Sequence, residues 1–192
     1  MLKIVLASAS PRRREILENL GLEFEIVVSD VDESSDIQEP ELLVKELSNR
    51  KAESVYQSLN CPSDTLVIGC DSVVVSENEI FGKPKDRQDA KRMLSQLQDS
   101  KHSVISGLTL IYNGKTETAY EETFVLFDKV SEAEMDRYIA TGECEDKAGA
   151  YAIQGKACKW IKGINGCYYN VVGLPVHLMY ELAKKLDLGG QM

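Results

Sequence analysis

The first twenty residues constrain the fold more tightly than any other stretch. Leu2-Lys3-Ile4-Val5-Leu6-Ala7 is an apolar run of strand character, and Ser8-Ala9-Ser10-Pro11 is a turn of small residues. Ile16, Leu17 and Leu20 then recur at helical spacing, with Gly21 as a C-terminal stop. Ser10 suits an N-cap and Pro11 a first helical position, so a strand feeds directly into a helix. Arg12-Arg13-Arg14 therefore fall in the first helical turn. A helix start carries roughly +0.5 of a charge, and each cation there costs about 0.3–1 kcal/mol. Three cations make sense where an anion shares the site; the alternative is a solvated basic face. Strand, small-residue turn, helix N-terminus and arginine fork together describe a phosphate cradle.

That basic cluster is local. The 192 residues carry a formal net charge of -9, which argues against nucleic-acid and anionic-membrane partners. No stretch approaches the roughly 20 apolar residues of a membrane span. The N-terminus lacks the form of a signal peptide, so a cytoplasmic location is expected. The length suits a single domain over 1–192, built as two lobes. Cys61, Cys70, Cys144, Cys158 and Cys167 are odd in number and contain no Cys-x-x-Cys pair, a pattern of reduced thiols. His102 and His177 are the only histidines, so a divalent ion would need oxygen ligands, which favours Mg²⁺ or Mn²⁺.

Alternating elements follow. Phe24–Val28 reads as a strand, 30–36 as an acidic segment, and Pro40 opens a helix carrying Leu43, Leu47, Val55 and Leu59. Leu66–Val75 is a buried-type strand, Ile80–Pro84 is extended, and Asp86 caps a helix with Ala90, Met93, Leu94 and Leu97 on one face. Val104–Tyr112 is a long strand, Asn113-Gly114 a strong hairpin signal, and a return strand reaches about Val130, a hairpin over about 103–130. Ser131-Glu132-Ala133-Glu134 is a capping box, Gly149–Gly173 a glycine-rich segment, and Pro175 to Gly189 frames a last helix. This order predicts an α/β class: a mixed sheet with flanking helices and two lobes around a cleft.

Asp71 interrupts the apolar run from Leu66 to Val75. An unpaired buried carboxylate costs several kcal/mol, so Asp71 needs a lysine, a metal or a catalytic role; a structural salt bridge is the bland alternative. Lys83, in Gly82-Lys83-Pro84, is a natural partner. The acidic segment has the chemistry for a divalent ion but no EF-hand spacing. Nothing local distinguishes Lys51. Gln154, a lone amide in the strand-like run Tyr151–Gly155, either reads a base edge or caps backbone. There is no P-loop, no Gly-x-Gly-x-x-Gly after the first strand, no second aspartate of an aspartate-nucleophile phosphatase and no Gly-x-Ser-x-Gly elbow. A phosphate-ester or nucleotide site remains.

Taken in order, Ser8-Ala9-Ser10-Pro11-Arg12-Arg13, Asp32-Glu33, Lys51-Ala52, Asp71-Ser72-Val73-Val74, Gly82-Lys83-Pro84, Gly107, Gly149-x-Tyr151-x-Ile153-Gln154-Gly155 and Asn170-Val171-Val172-Gly173-Leu174-Pro175 resemble the Maf family of nucleoside-triphosphate pyrophosphatases. The resemblance runs from about residue 2 to residue 186. It implies an elongated α/β fold with a deep cleft, similar to inosine-triphosphate pyrophosphatases, and usually a homodimer. It also implies metal-dependent hydrolysis of a nucleoside triphosphate to monophosphate and pyrophosphate. Arg12 and Gln154 match the dTTP/UTP-preferring branch, and Ser72 stands where that branch commonly has threonine; the 7-methyl-GTP branch usually has tryptophan at the position of Arg12. By the same resemblance Ser8, Ser10, Arg12, Arg13, Ser72 and Gln154 bind substrate. Lys51 and Lys83 offset developing charge, Glu33 and Asp71 organise Mg²⁺ or Mn²⁺, and Asp71 orients or deprotonates the attacking water. Two rivals stand beside it. A nucleotide-binding regulator of cell division would keep the arginines and dispense with Glu33, Asp71 and Lys83; a phosphatase would release orthophosphate.

Overall fold

Strand β1 (Lys3–Leu6) lies between two parallel neighbours, β2 (Glu25–Ile26) and β3 (Thr65–Ser76), with Leu6 opposite both Ile26 and Ile68. The computed structural model that shows this describes residues 2–60 and 62–192, so Cys61 lies outside the described residues. Ile4, Val5 and Leu6 are all buried, which is why β1 reads as a continuous apolar run instead of alternating. β2 is shorter than the expected Phe24–Val28. It sits at the end of the strand order, beside a partner only four residues long.

Helix α1 (Pro11–Asn19) follows the Ser8–Ser10 turn and buries Ile16 and Leu17. Helix α2 (Pro40–Ser58) precedes β3, and β4 (Glu79–Phe81) folds back antiparallel onto it. Asp86 caps helix α3 (Arg87–Leu97), its carboxylate accepting the Asp89 amide at 2.8 Å. Strands β5 (Lys101–Tyr112) and β6 (Lys115–Phe127) form the hairpin, joined at Asn113-Gly114 with φ of 49° and 75°. Positive φ at both turn residues is what a tight two-residue hairpin requires. Ser131 stands at the N-cap of helix α4 (Glu132–Ile139), but its hydroxyl binds the Glu134 carboxylate at 2.9 Å and no backbone amide. Strand β7 (Ile161–Asn165) pairs antiparallel with β6 and lacked a clear signal, being mostly exposed. Helices α5 (Tyr168–Val172) and α6 (Val176–Lys185) complete the order. Among the described residues the seven strands form a mixed sheet in the order β2-β1-β3-β5-β6-β7, with β4 beside β3. The fold is mixed α/β with flanking helices.

The chain divides into two compact units: Met1–Asp71 with Ser106–Glu121 and Gly173–Met192, and Ser72–Ile105 with Glu122–Val172. In the first, Val5, Ala7, Val67 and Ile111 pack against Ala52, Val55 and Tyr56 of α2. Two glycines set how closely that helix lies. A Cβ on Gly69 of β3 would sit 2.3 Å from the Ser48 carbonyl oxygen, and one on Gly107 of β5 would sit 2.0 Å from that of Val44. Only hydrogen fits at both places. The closeness also lets the Ser48 and Thr109 hydroxyls bond at 3.0 Å. In the second unit Phe127, Tyr151, Tyr138 and Trp160 meet edge to face within a core completed by Phe81, Met93, Leu94 and Leu97.

Candidate active site

The turn after β1 divides the three arginines by their partners. Ser8 is buried, and its Oγ accepts the Ser10 amide at 3.2 Å and Arg13 Nη1 at 3.1 Å. Ser10 stands at the N-cap without a side-chain capping bond, and Ser8 supplies the acceptor for the Ser10 amide that ties the turn together. Arg13 Nε donates to the Gly173 carbonyl at 2.8 Å. Arg14 turns outward to Glu18 at 2.7 Å, an ordinary i,i+4 pair. Arg12 is half-buried. No acidic residue occupies the first turn of α1. The helix start and its cations therefore form a positive site whose natural complement is an anion.

Asp71 meets its cation in the same unit. Gly69 and Asp71 lie on one face of β3, while Ser48, Lys51 and Ala52 lie on one face of α2. The approach that Gly69 permits sets Lys51 over Asp71, with Nζ donating to Oδ1 at 2.6 Å. The partner expected from sequence was Lys83; the partner found is Lys51. The same ammonium reaches Glu33 Oε1 at 3.0 Å. Asp71 and Lys51 side chains are 12% and 10% exposed, whereas Glu33 is 58% exposed, so one carboxylate is committed and the other open to exchange. The acidic segment around Glu33 is tied down. Arg50 Nη1 donates to the Asp32 carbonyl at 2.5 Å and the Ser34 carbonyl at 3.1 Å. The Ser34 hydroxyl, then its amide, holds the Asp32 carboxyl below its ordinary range. Arg50 had no sequence signal beyond standing next to Lys51.

The other candidates belong to the second unit. Ser72 follows Asp71 in β3 and is half-buried. Lys83 follows β4 and is exposed. Gln154 is exposed in a turn between the 3₁₀ segments Ala148–Ala150 and Lys156–Trp160, not in a strand. Gly149 and Ala150, at φ of 67° and 60°, break the extended run that the apolar residues suggested. Among the described residues no three His, Cys, Asp or Glu side chains converge, so any ion would draw on the carboxylate pair and on oxygens from substrate and water.

An anion cradle at a helix start, beside a carboxylate–lysine–carboxylate cluster on a mixed sheet, is the equipment of a protein that handles phosphate groups. The chain belongs to the Maf family: the model described as Maf-like protein matches residues 3–186. It is 47% identical over 203 aligned residues to a dTTP/UTP pyrophosphatase of Agathobacter rectalis, covering 98% of this chain and 99% of the relative. It is 46% identical over 186 residues to one of Thermoanaerobacter pseudethanolicus, covering 96% of each chain. One of Clostridium botulinum is 43% identical over 192 residues, with 98% and 99% covered. Among solved structures, a nucleoside-triphosphatase / dITP/XTP pyrophosphatase of Mycobacterium abscessus aligns over 97% of this chain and 98% of its own at 13% identity and a TM-score of 0.44, too slight a likeness to argue from. No helix among the described residues is long and apolar enough to cross a membrane.

Proposed function

We propose that this chain hydrolyses dTTP and UTP to the nucleoside monophosphate and pyrophosphate. The observation that carries the reading is the Lys51 ammonium held between Asp71 and Glu33 at 2.6 and 3.0 Å, in a chain that is similar end to end to relatives of that name. A structural salt bridge needs one carboxylate. Two gathered on one cation, one of them exposed, make a group that can rearrange around a phosphate.

Ser8, Ser10, Arg12 and Arg13 hold the triphosphate at the start of α1, where helix dipole and guanidinium charge add. Asp71 orients a water and takes its proton as the oxygen bonds to the α-phosphorus. The bond from that phosphorus to the bridging oxygen breaks, and pyrophosphate leaves with the electron pair. Lys51 and Lys83 offset the charge that builds on the leaving oxygens, where most phosphoryl-transfer catalysis lies. Glu33 and Asp71 are hard oxygen donors that already share one cation, so they fit Mg²⁺ or Mn²⁺, which would supply further positive charge to the phosphate oxygens. Ser72 and Gln154 contact the base. The reading includes a homodimer in the cytoplasm; the net charge of -9 supports the absence of nucleic-acid and membrane partners.

A panel of nucleoside triphosphates, with and without Mg²⁺ and Mn²⁺, tests this by scoring pyrophosphate against orthophosphate. UTP and dTTP are expected to turn over with pyrophosphate release, and 7-methyl-GTP poorly. Orthophosphate release would overturn the reaction. Tight binding without turnover would make the chain a nucleotide-binding regulator.

A further inference from the structure

The carbonyl oxygen of Gly173 has no part in the reaction as described, yet two donors meet on it. It accepts Arg13 Nε at 2.8 Å and the Cys70 thiol at 3.5 Å. Arg13 and Gly173 are 160 residues apart in sequence, and Cys70 directly precedes Asp71. One backbone oxygen thus links the arginine of the anion cradle to the strand carrying the acid. A guanidinium is a rigid planar fork, so two bonds on its Nε and Nη1 edges, to Gly173 and to Ser8 Oγ at 3.1 Å, fix its plane and direction.

The residue at 173 explains how the oxygen is aimed. Gly173 has φ +131°, a conformation L residues rarely adopt, while no atom lies within 4 Å of where its Cβ would be. Space does not demand glycine here; backbone direction does. We propose that the Gly173 carbonyl is the positioning group for Arg13, holding the guanidinium ready for a phosphate before substrate arrives. This rests on the reading of Arg13 as a phosphate ligand. The competing account is a glycine needed only to turn the chain between α5 and α6.

A double-mutant cycle separates the two, read as the dissociation constant for an α,β-methylene analogue of UTP. Gly173→Ala is expected to weaken binding about tenfold, and to raise KM by a similar factor while kcat stays within about twofold, since positioning is lost and the reacting groups are kept. In an Arg13→Ala background the same change is expected to weaken binding no further than about twofold, because the group being positioned is gone. A full penalty in that background, or none in the native one, overturns the proposal. Should Gly173→Ala fail to fold, the Gly173–Leu174 amide can be replaced by an ester. A synthetic segment 167–192, starting at Cys167, is ligated to a thioester ending at Gly166. The ester leaves every side chain in place and weakens the carbonyl as an acceptor; binding about threefold weaker is expected, and unchanged binding overturns the proposal. A native protein that ignores the analogue overturns the underlying reading, and this inference falls with it.

Discussion

In the first unit Lys51 and Asp71 are buried and bonded to each other at 2.6 Å; in the second His102 is buried at 2% exposure among aromatic rings. His102 lies edge-on to Phe127 and Tyr151, its Nε2 is 2.9 Å from the Tyr151 hydroxyl, and its Nδ1 has no hydrogen-bond partner among the described residues. Burial pushes the imidazole from an ordinary 6.5 down to about 4. The phenols of Tyr138 and Tyr151 and the Cys144 thiol are pushed up by the same cause. The first unit pairs a buried cation with a buried carboxylate, whereas in the second burial itself is the largest influence on His102, Tyr138, Tyr151 and Cys144 and favours their neutral forms. Charge that is to act on a phosphate has to be of the first kind, because a lone buried charge is too costly to maintain.

The contrast can be broken at four points. Asp71→Asn keeps the shape of the side chain and removes its charge, and is expected to lower turnover about 10⁴-fold, some 5 kcal/mol of barrier. The fold should persist because Glu33 still reaches the Lys51 ammonium at 3.0 Å, but loss of the buried partner should lower stability by about 1–3 kcal/mol. Pyrophosphate assay and urea titration read the two effects, and normal turnover would make Asp71 structural. Phe127→Ala opens a cavity at the centre of the aromatic cluster and should lower stability by about 4 kcal/mol in the same titration.

Acid should act on the second unit through His102. The folded chain keeps the ring neutral to about pH 4, whereas the unfolded chain takes a proton below about 6.5. Stability from this source is complete above pH 6.5 and falls as the pH drops, by about 3 kcal/mol at pH 4. His102→Gln should flatten that slope, and an unchanged slope between pH 7 and 4.5 would sink the account. The smallest effect belongs to Gln154. Gln154→Ala should raise KM for UTP about tenfold, roughly 1–2 kcal/mol, and narrow the preference over purine triphosphates with less change in kcat. Loss of kcat with base preference intact would move Gln154 into catalysis.

Much of this was legible in the chain. Periodicity and turn chemistry located α1, α2, α3, β3 and the hairpin, whose observed limits of 101 and 127 lie close to the expected 103 and 130. Asp71 stood out as a carboxylate in an apolar strand. The failures were of two kinds. Tyr151–Gly155 looked like a strand because Tyr151, Ala152 and Ile153 form an apolar run, but positive φ at Gly149 and Ala150 turns the chain, and Tyr151 is buried in the aromatic core. β7 was invisible because a short, exposed strand carries little periodic signal.

By itself the sequence determined the longer elements α1, α2, α3, β3 and the hairpin, and that arginines stand at a helix start and an acid stands inside an apolar strand. Those properties are local, set by neighbours within a turn or a pleat. Only the tertiary structure decided that Lys51 serves Asp71, that Arg50 ties down the segment bearing Glu33, and that the Gly173 carbonyl meets Arg13. Each of these joins residues 18 to 160 positions apart. Such contacts depend on how closely α2 can lie on β3 and β5, a distance set by the missing side chains of Gly69 and Gly107 and readable only once the elements are packed.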